Sequence, residues 1–371
     1  MNPFQLQSDS LLQRLSNLQN AFIEAHSSKS VRDVRKYYCG LGELGALDLV
    51  DHDGLKAWGR AADAFYEYGM QTDASTVLSL GAHLCAGAVP VMEFGTVSLR
   101  EQLGMSTLRG QTVFANAISE LEAGSDLTNL QTTAVQDGFT YVLNGTKRYV
   151  TNAPFAHYAV VFCCTDPQAG FLGVSALVVD LNSPGVVIAE PYRMIGVAHA
   201  QVASITFNDC RIPQDNLLGQ EGSGTKIFAH SMLWERTVMF SGLMGVLQQN
   251  LDAAVRFATS RIQRGVPVAK FQAVSHRLVD CAIDIEACRS LIASAVSEKN
   301  SQRAALLAMQ TKVACSEAFI RVGRKVALTF GGAGMQESCP ASRLMADSLA
   351  TGSFSGSNDA LRSAIASKMG L

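Results

Sequence analysis

In the stretch SMLWERTVMFSGLMGVL, residues 231–247, an acid and a base stand side by side, Glu235 and Arg236, inside an otherwise apolar run with helical spacing. Taking a carboxylate out of water is costly, so a buried one is paired or put to use. An ion pair satisfies the first reading and proton transfer the second. A second group of residues lies in NAISELEAGSD, 116–126, where Ser119, Gly124 and Ser125 offer hydroxyls and an unhindered backbone to an anion or a heteroaromatic ring edge. An ordinary capped loop would carry the same residues. In NGTKRYVTNA, LNGTK reads as a tight hairpin and RYVTN as the returning strand, with Tyr149 and Thr151 on one face by the period of two. An aromatic ring and a hydroxyl on one face suit a flat cofactor, although a plain edge strand would look alike. FGGAG, 330–334, can bring backbone N–H groups to phosphates or end a helix. Arg261 in SRIQRG is either surface charge or a pyrophosphate clamp.

The elements that must position these residues change character twice along the chain. Over residues 1–112 apolar residues recur three and four apart, as in LLQRLSNLQNAFIEA and LKAWGRAADAFYEYG. CGLG, QTDAST and EFGTVS interrupt this pattern with glycine or capping residues, and read as helix boundaries. Over 113–217 the period becomes two, in short β-rich runs divided by Gly, Pro, Asn and Asp. No helical span separates these runs, so they should pair antiparallel as a barrel or sandwich. Helical spacing then returns over 218–371, with long segments at 222–260, 270–298, 301–331 and 341–370. The expectation is an α+β fold of three domains: helical, β, then a helical bundle.

Composition is globular, with 371 residues, 48% hydrophobic, 17% charged and a formal net charge of -2, so nothing favours a nucleic-acid partner. Nine cysteines are scattered without a CxxC pair or a histidine at ligand spacing, which argues against a disulfide framework and a structural metal. The first residues carry an acid and lack an apolar core behind a basic start, unlike a secretory signal. No uncharged apolar run approaches roughly 20 residues, so no membrane span is expected. A reducing cytoplasm is the expected compartment.

Taken in order, the motifs resemble the acyl-CoA dehydrogenase family of flavoproteins over nearly the entire chain. The family's TEPxAGSD is matched by SELEAGSD, its KxWITN strand by KRYVTN, its FxDVxVP strand by FNDCRIP, its GGxG by FGGAG and its closing GT turn by SGSND. The resemblance implies a helical domain, a β-barrel domain and a four-helix bundle. It also implies noncovalent FAD in a homodimer or homotetramer, with part of each flavin site supplied by a neighbouring subunit. By position, Ile118, Ser119, Gly124 and Ser125 should line flavin and pyrophosphate, and Tyr149 and Thr151 should approach the isoalloxazine. Arg261, Gln272, Gly331 and Gly332 should reach the adenosine half from the partner chain, and Ser357 stands where the family's closing threonine touches FAD. Leu121 replaces the proline of the first motif, and RIQRG departs from the family's RxxFG at Arg264.

The most informative departure is at Ser355, where many members carry the catalytic glutamate of YEGT. A serine hydroxyl is too weak a base without an activating partner. A minority branch places its glutamate on the helix after the β domain in an LxER setting, which Glu235 in LWER matches. The resemblance therefore makes Glu235 the base, buried against flavin and thioester. SMLWER together with FSGSND narrows the likeness to the branch acting on acyl groups tethered to phosphopantetheine of carrier proteins in polyketide and nonribosomal peptide pathways. Seryl or glyceryl oxidation for aminomalonyl or hydroxymalonyl extender units is the implied role. Prolyl-carrier desaturation, a conventional short-chain acyl-CoA dehydrogenase and a catalytically silent assembly partner are the alternatives. Either an electron-transfer flavoprotein or oxygen would take the electrons.

Overall fold

Asp73 and Thr96, from two of the expected boundaries, each open a helix by accepting from the backbone N–H three residues inside the cap: Thr76 N donates to Asp73 Oδ1 at 2.9 Å, and Leu99 N to Thr96 Oγ1 at 3.2 Å. The structure, a computed structural model, describes residues 31–43, 47, 55–124 and 126–371. The N-terminal helices are α1 (Val31–Glu43), α2 (Leu55–Gly69), α3 (Ala74–His83), α4 (Val89–Phe94) and α5 (Val97–Leu108). A π-helical turn, Leu84–Ala88, joins α3 to α4. CGLG does not end a helix, because α1 runs through it. A Cβ on Gly42 would lie 2.2 Å from the carbonyl carbon of Arg109, so this glycine permits close backbone approach.

The continuous helical stretch Ala74–Phe94 also corrects the expectation about apolar runs. Its 21 residues are long and apolar enough to cross a membrane, but 83% of its most apolar window is buried inside the protein. It is a core helix by that burial.

The β-rich runs become β1 (Phe114–Ala117), β2 (Thr133–Asp137), β3 (Thr140–Val150), β4 (Tyr158–Cys164), β5 (Val174–Asp180), β6 (Val186–Ile188) and β7 (Ala203–Pro213). They form one seven-stranded sheet in the order β1-β4-β2-β3-β7-β6, with β5 also on β4. Pairing is antiparallel as expected except on one edge of β4, which β1 and then the first residue of β2 meet in parallel. Inward residues of these strands, among them Leu143, Val161, Leu177, Ile205 and Phe207, make one core cluster. LNGTK is not a hairpin turn. β3 passes straight through it, with a register shift between Leu143 and Gly145 where a Cβ on Gly145 would come within 2.6 Å of Thr132. The turn into β3 lies earlier, at Gly138 with its positive φ.

Helix α6 (Gly224–Trp234), a π-helical turn at Glu235–Met239 and α7 (Phe240–Ser260) follow as one unbroken helical stretch. A short hairpin of β8 (Ile262–Gln263) and β9 (Val266–Pro267) precedes α8 (Gln272–Ser297), α9 (Ser301–Phe330), α10 (Pro340–Thr351) and α11 (Asn358–Lys368). Helix α9 is central and packs on α7, α8, α10 and α11. The expected last segment is thus two helices, split at a turn in which Ser355 and Gly356 both take left-handed backbone. The described residues gather into two compact units. The first takes in those up to 57, with 78–193 and 198–235, and the second 58–77, 194–197 and 236–371.

Candidate active site

Glu235 is the first residue of the second π-helical turn and is only 9% exposed. A π turn inserts one residue into the helical ladder and so re-aims the side chains beside it, which is why such turns gather at working sites. From strand β1, Asn116 Nδ2 donates to Glu235 Oε1 at 3.4 Å. The other amide atom, Oδ1, is buried with no partner among the described residues, as is the indole Nε1 of Trp234, the residue before Glu235. Trp234 is 1% exposed. Such orphaned atoms inside a protein are rare and mark places where something else completes the hydrogen bonding. Arg236 donates through Nε to the carbonyl of Ser355 at 3.0 Å.

The loop after β1 is fastened to β3 within the same unit. Lys147 Nζ donates to Ile118 O at 2.9 Å and to Glu120 Oε1 at 2.7 Å, and Arg148 N donates to Ser119 O at 2.8 Å. Glu120 also accepts from the backbone N–H groups of Gln131 and Thr132, at 2.6 and 3.0 Å. Burial pulls the Lys147 ammonium down from its ordinary value while Glu120 opposes. The same burial pushes Glu120 up, but Lys147 and these N–H donors outweigh it and hold the carboxyl below its ordinary value. The Glu120 carboxyl is therefore ionised at neutral pH.

Two residues past Lys147 the strand bulges: the register shifts between Lys147 and Val150, and Tyr149 takes a φ of 56°. The period of two therefore does not govern Tyr149 and Thr151, because the bulge adds a residue between them and Lys147's face. Tyr149 is 60% exposed, with its ring 5.3 Å from that of Tyr192, and Thr151 is half-buried just beyond the strand. Asn152, fully buried, then donates to Ser79 O and Phe114 O, which ties α3 and β1 to this corner. Ile118 and Ser119 are half-buried and Gly124 is exposed, while Ser125 lies outside the described residues. The unit thus gathers Ile118, Ser119, Tyr149 and Thr151 around one strand end. Lys147, Asn116 and Asn152 were given no role by sequence reasoning, although Lys147 and Asn152 open and close the KRYVTN motif.

The remaining candidates belong to the second unit. Arg261 follows α7 and Gly331 caps α9, and the two helix ends are joined by Phe257 and Phe330, whose rings are 4.8 Å apart. A Cβ on Gly331 or Gly332 would meet nothing within 4 Å, so this backbone is open even though it also serves as the helix cap. Arg261 and Gln272 are exposed. Ser357 caps α11, accepting from Ala360 N at 3.3 Å.

Beneath that last turn Lys312 is fully buried and donates to Gly352 O at 3.3 Å and Asn358 Oδ1 at 2.7 Å. Burial first, then the nearby cations Arg236 and Arg362, pull its ammonium down to about 7. The unfolded chain keeps this proton up to the ordinary lysine value of about 10.4. Between those limits the unfolded state binds more protons, so stability rises with pH, and the cost of the buried charge is full below about pH 7. Replacing Lys312 with Met removes this slope. Calorimetric melting from about pH 7 to about pH 9.5 should show the wild type gaining on Lys312→Met, whereas parallel curves would remove Lys312 from the linkage.

An FAD needs a flat ring to lie against and open backbone N–H groups and a cation for its phosphates. Groups of these kinds are present: in the first unit the exposed Tyr149 ring and exposed Gly124, and in the second the open backbone at Gly331 and Gly332 and the exposed Arg261, so the residues fit such a cofactor. Residues 115–210 match the family model described as acyl-CoA dehydrogenase, middle domain, and 222–370 match acyl-CoA dehydrogenase, C-terminal domain. The chain is 34% identical to the L-prolyl-(peptidyl-carrier protein) dehydrogenase of Serratia sp., over 90% of this chain and 83% of that one. It is 33% identical to the enzyme of the same description from Pseudomonas fluorescens, over 90% and 89%. Among solved structures, the FAD complex of PigA superposes with a TM-score of 0.86 at 30% identity, covering 100% of this chain and 99% of that one. The chain belongs to the acyl-CoA dehydrogenase family and is an FAD-dependent oxidoreductase.

Proposed function

We propose that this protein oxidises a small amino- or hydroxyacyl group held as a thioester on the phosphopantetheine of a carrier protein, with Glu235 as the base. The observation that carries this reading is a buried carboxylate at the head of a π turn, hydrogen-bonded by Asn116, in a chain whose terminal turn offers only Ser355 at the family's usual place for a base. The Serratia and Pseudomonas relatives, which act on L-prolyl carriers, support the carrier-bound substrate. They favour prolyl over the seryl and glyceryl groups that the motifs first suggested.

When bound, FAD supplies a two-electron acceptor for the hydride that leaves the β carbon. Glu235 takes the α proton, or the hydroxyl proton where a β-hydroxyacyl group is oxidised to the aldehyde. The loop at 118–124, with Tyr149 and Thr151, holds the flavin end of the cofactor. Arg261, Gln272, Gly331 and Gly332 hold its adenosine half across a homodimer or homotetramer contact, and Ser357 reaches it from the α11 cap. The division at residues 112 and 217, a cytoplasmic location and an electron-transfer flavoprotein or oxygen as acceptor complete the reading.

Anaerobic titration tests it. Purified protein should be yellow and should bleach with prolyl-, seryl- or glyceryl-loaded carrier, and the one that bleaches it fastest identifies the acyl group. Bleaching by free CoA thioesters with no response to any loaded carrier would make it a conventional acyl-CoA dehydrogenase. Yellow protein that no thioester bleaches would make it an assembly partner.

A further inference from the structure

Asn116 presents two polar atoms, and the second has no partner among the described residues. A carboxylate only accepts hydrogen bonds, so the amide must turn its NH2 toward Glu235 and its oxygen away. That orientation fixes Oδ1 as the buried atom without a partner among the described residues. Strand β1 holds it there: Asn116 pairs with Val160 in the parallel ladder with β4, between Ala115 and Ala117, both fully buried. A buried amide oxygen without a donor is a cost to the folded state, which a ligand that donates to it would relieve.

Resting on the function proposed above, we propose that Asn116 is the specificity residue of the site. Its Nδ2 steers Glu235, and its Oδ1 accepts a hydrogen bond from an amine N–H or a hydroxyl of the acyl group. The substrate class is thereby narrowed to acyl thioesters with a polar hydrogen close to the carbon that loses its proton. A plain alkyl thioester has no such hydrogen and leaves Oδ1 orphaned, and a site built around a polar partner discriminates strongly against an analogue lacking it. The same geometry explains why one residue touches the base and reads the substrate: the proton to be removed and the polar group sit on adjoining atoms of an amino- or hydroxyacyl group.

The test is made on FAD-loaded protein carrying Glu235→Gln, in which turnover is blocked and binding can be read by calorimetry. Prolyl-, seryl- and butyryl-pantetheine are the probes. Adding Asn116→Leu should weaken prolyl- or seryl-pantetheine binding about 30-fold or more and butyryl-pantetheine binding by less than about threefold. Asn116→Asp in the same background keeps an acceptor oxygen and should restore most of the loss. Equal weakening of all three probes, or none, overturns the inference. If Glu235→Gln alone still reduces flavin at the wild-type rate, the assignment of the base fails instead, and the two failures are told apart.

Discussion

Glu235→Gln should leave a folded, yellow protein whose flavin is reduced by loaded carrier about 1000-fold more slowly than in the wild type, the middle of the range that a positioned base contributes. Glutamine keeps the shape of glutamate, and its amide oxygen can still accept from Asn116 Nδ2. What it lacks is basicity. Its melting temperature should therefore stay within about 3 °C, corresponding to roughly 1 kcal/mol. Rapid anaerobic mixing, followed at the flavin absorbance band, reads the rate directly. A rate within tenfold of the wild type would mean that another group takes the proton and that Glu235 is only a buried polar residue of the helix. Ser355 is no substitute, because a serine hydroxyl is too weak a base without an activating partner.

The route from sequence to this site was uneven for physical reasons. Periodicity reported the change from helix to strand and back, because each face buried against a core must repeat at the period of its element. The capping residues Asp73 and Thr96 were legible for the same kind of reason, since a helix start leaves N–H groups that a short polar side chain can satisfy. Glycines were misread where their role is proximity: Gly42 and Gly145 look like boundaries in the sequence, and only the approach of Arg109 and Thr132 shows why no Cβ is tolerated. The π turn at Glu235 leaves no mark in hydrophobic spacing, because one inserted residue changes the phase of an all-apolar run without changing its content. Asn116 was invisible because a single amide in a strand has meaning only through the partner 119 residues away. Lys147 suffered likewise, since a lysine in a strand ordinarily points to water.

That lysine carries the second large expected effect. Lys147 is 0% exposed, and its partner Glu120 is nearly as buried, at 2.7 Å. Replacing Lys147 with Met leaves a carboxylate buried without its counter-charge, which costs about 3–5 kcal/mol where buried pairs are broken from one side. Adding Glu120→Gln removes the stranded charge, so the double variant should recover more than half of that loss, and the difference between single and double variants measures the coupling. Stability is only part of the expected result. Lys147 and Arg148 hold two consecutive carbonyls, those of Ile118 and Ser119, while Glu120 grips the N–H groups of Gln131 and Thr132. Together these bonds close the loop assigned to the flavin from both ends. If the pair positions that loop, FAD should dissociate about tenfold more readily from Lys147→Met even at temperatures where the protein stays folded, since a site loosened at its support loses the benefit of preorganisation. Flavin release by equilibrium dialysis well below the melting temperature separates the two roles. A lowered melting temperature with unchanged flavin affinity would reduce the pair to a structural tie between β3 and the start of β2.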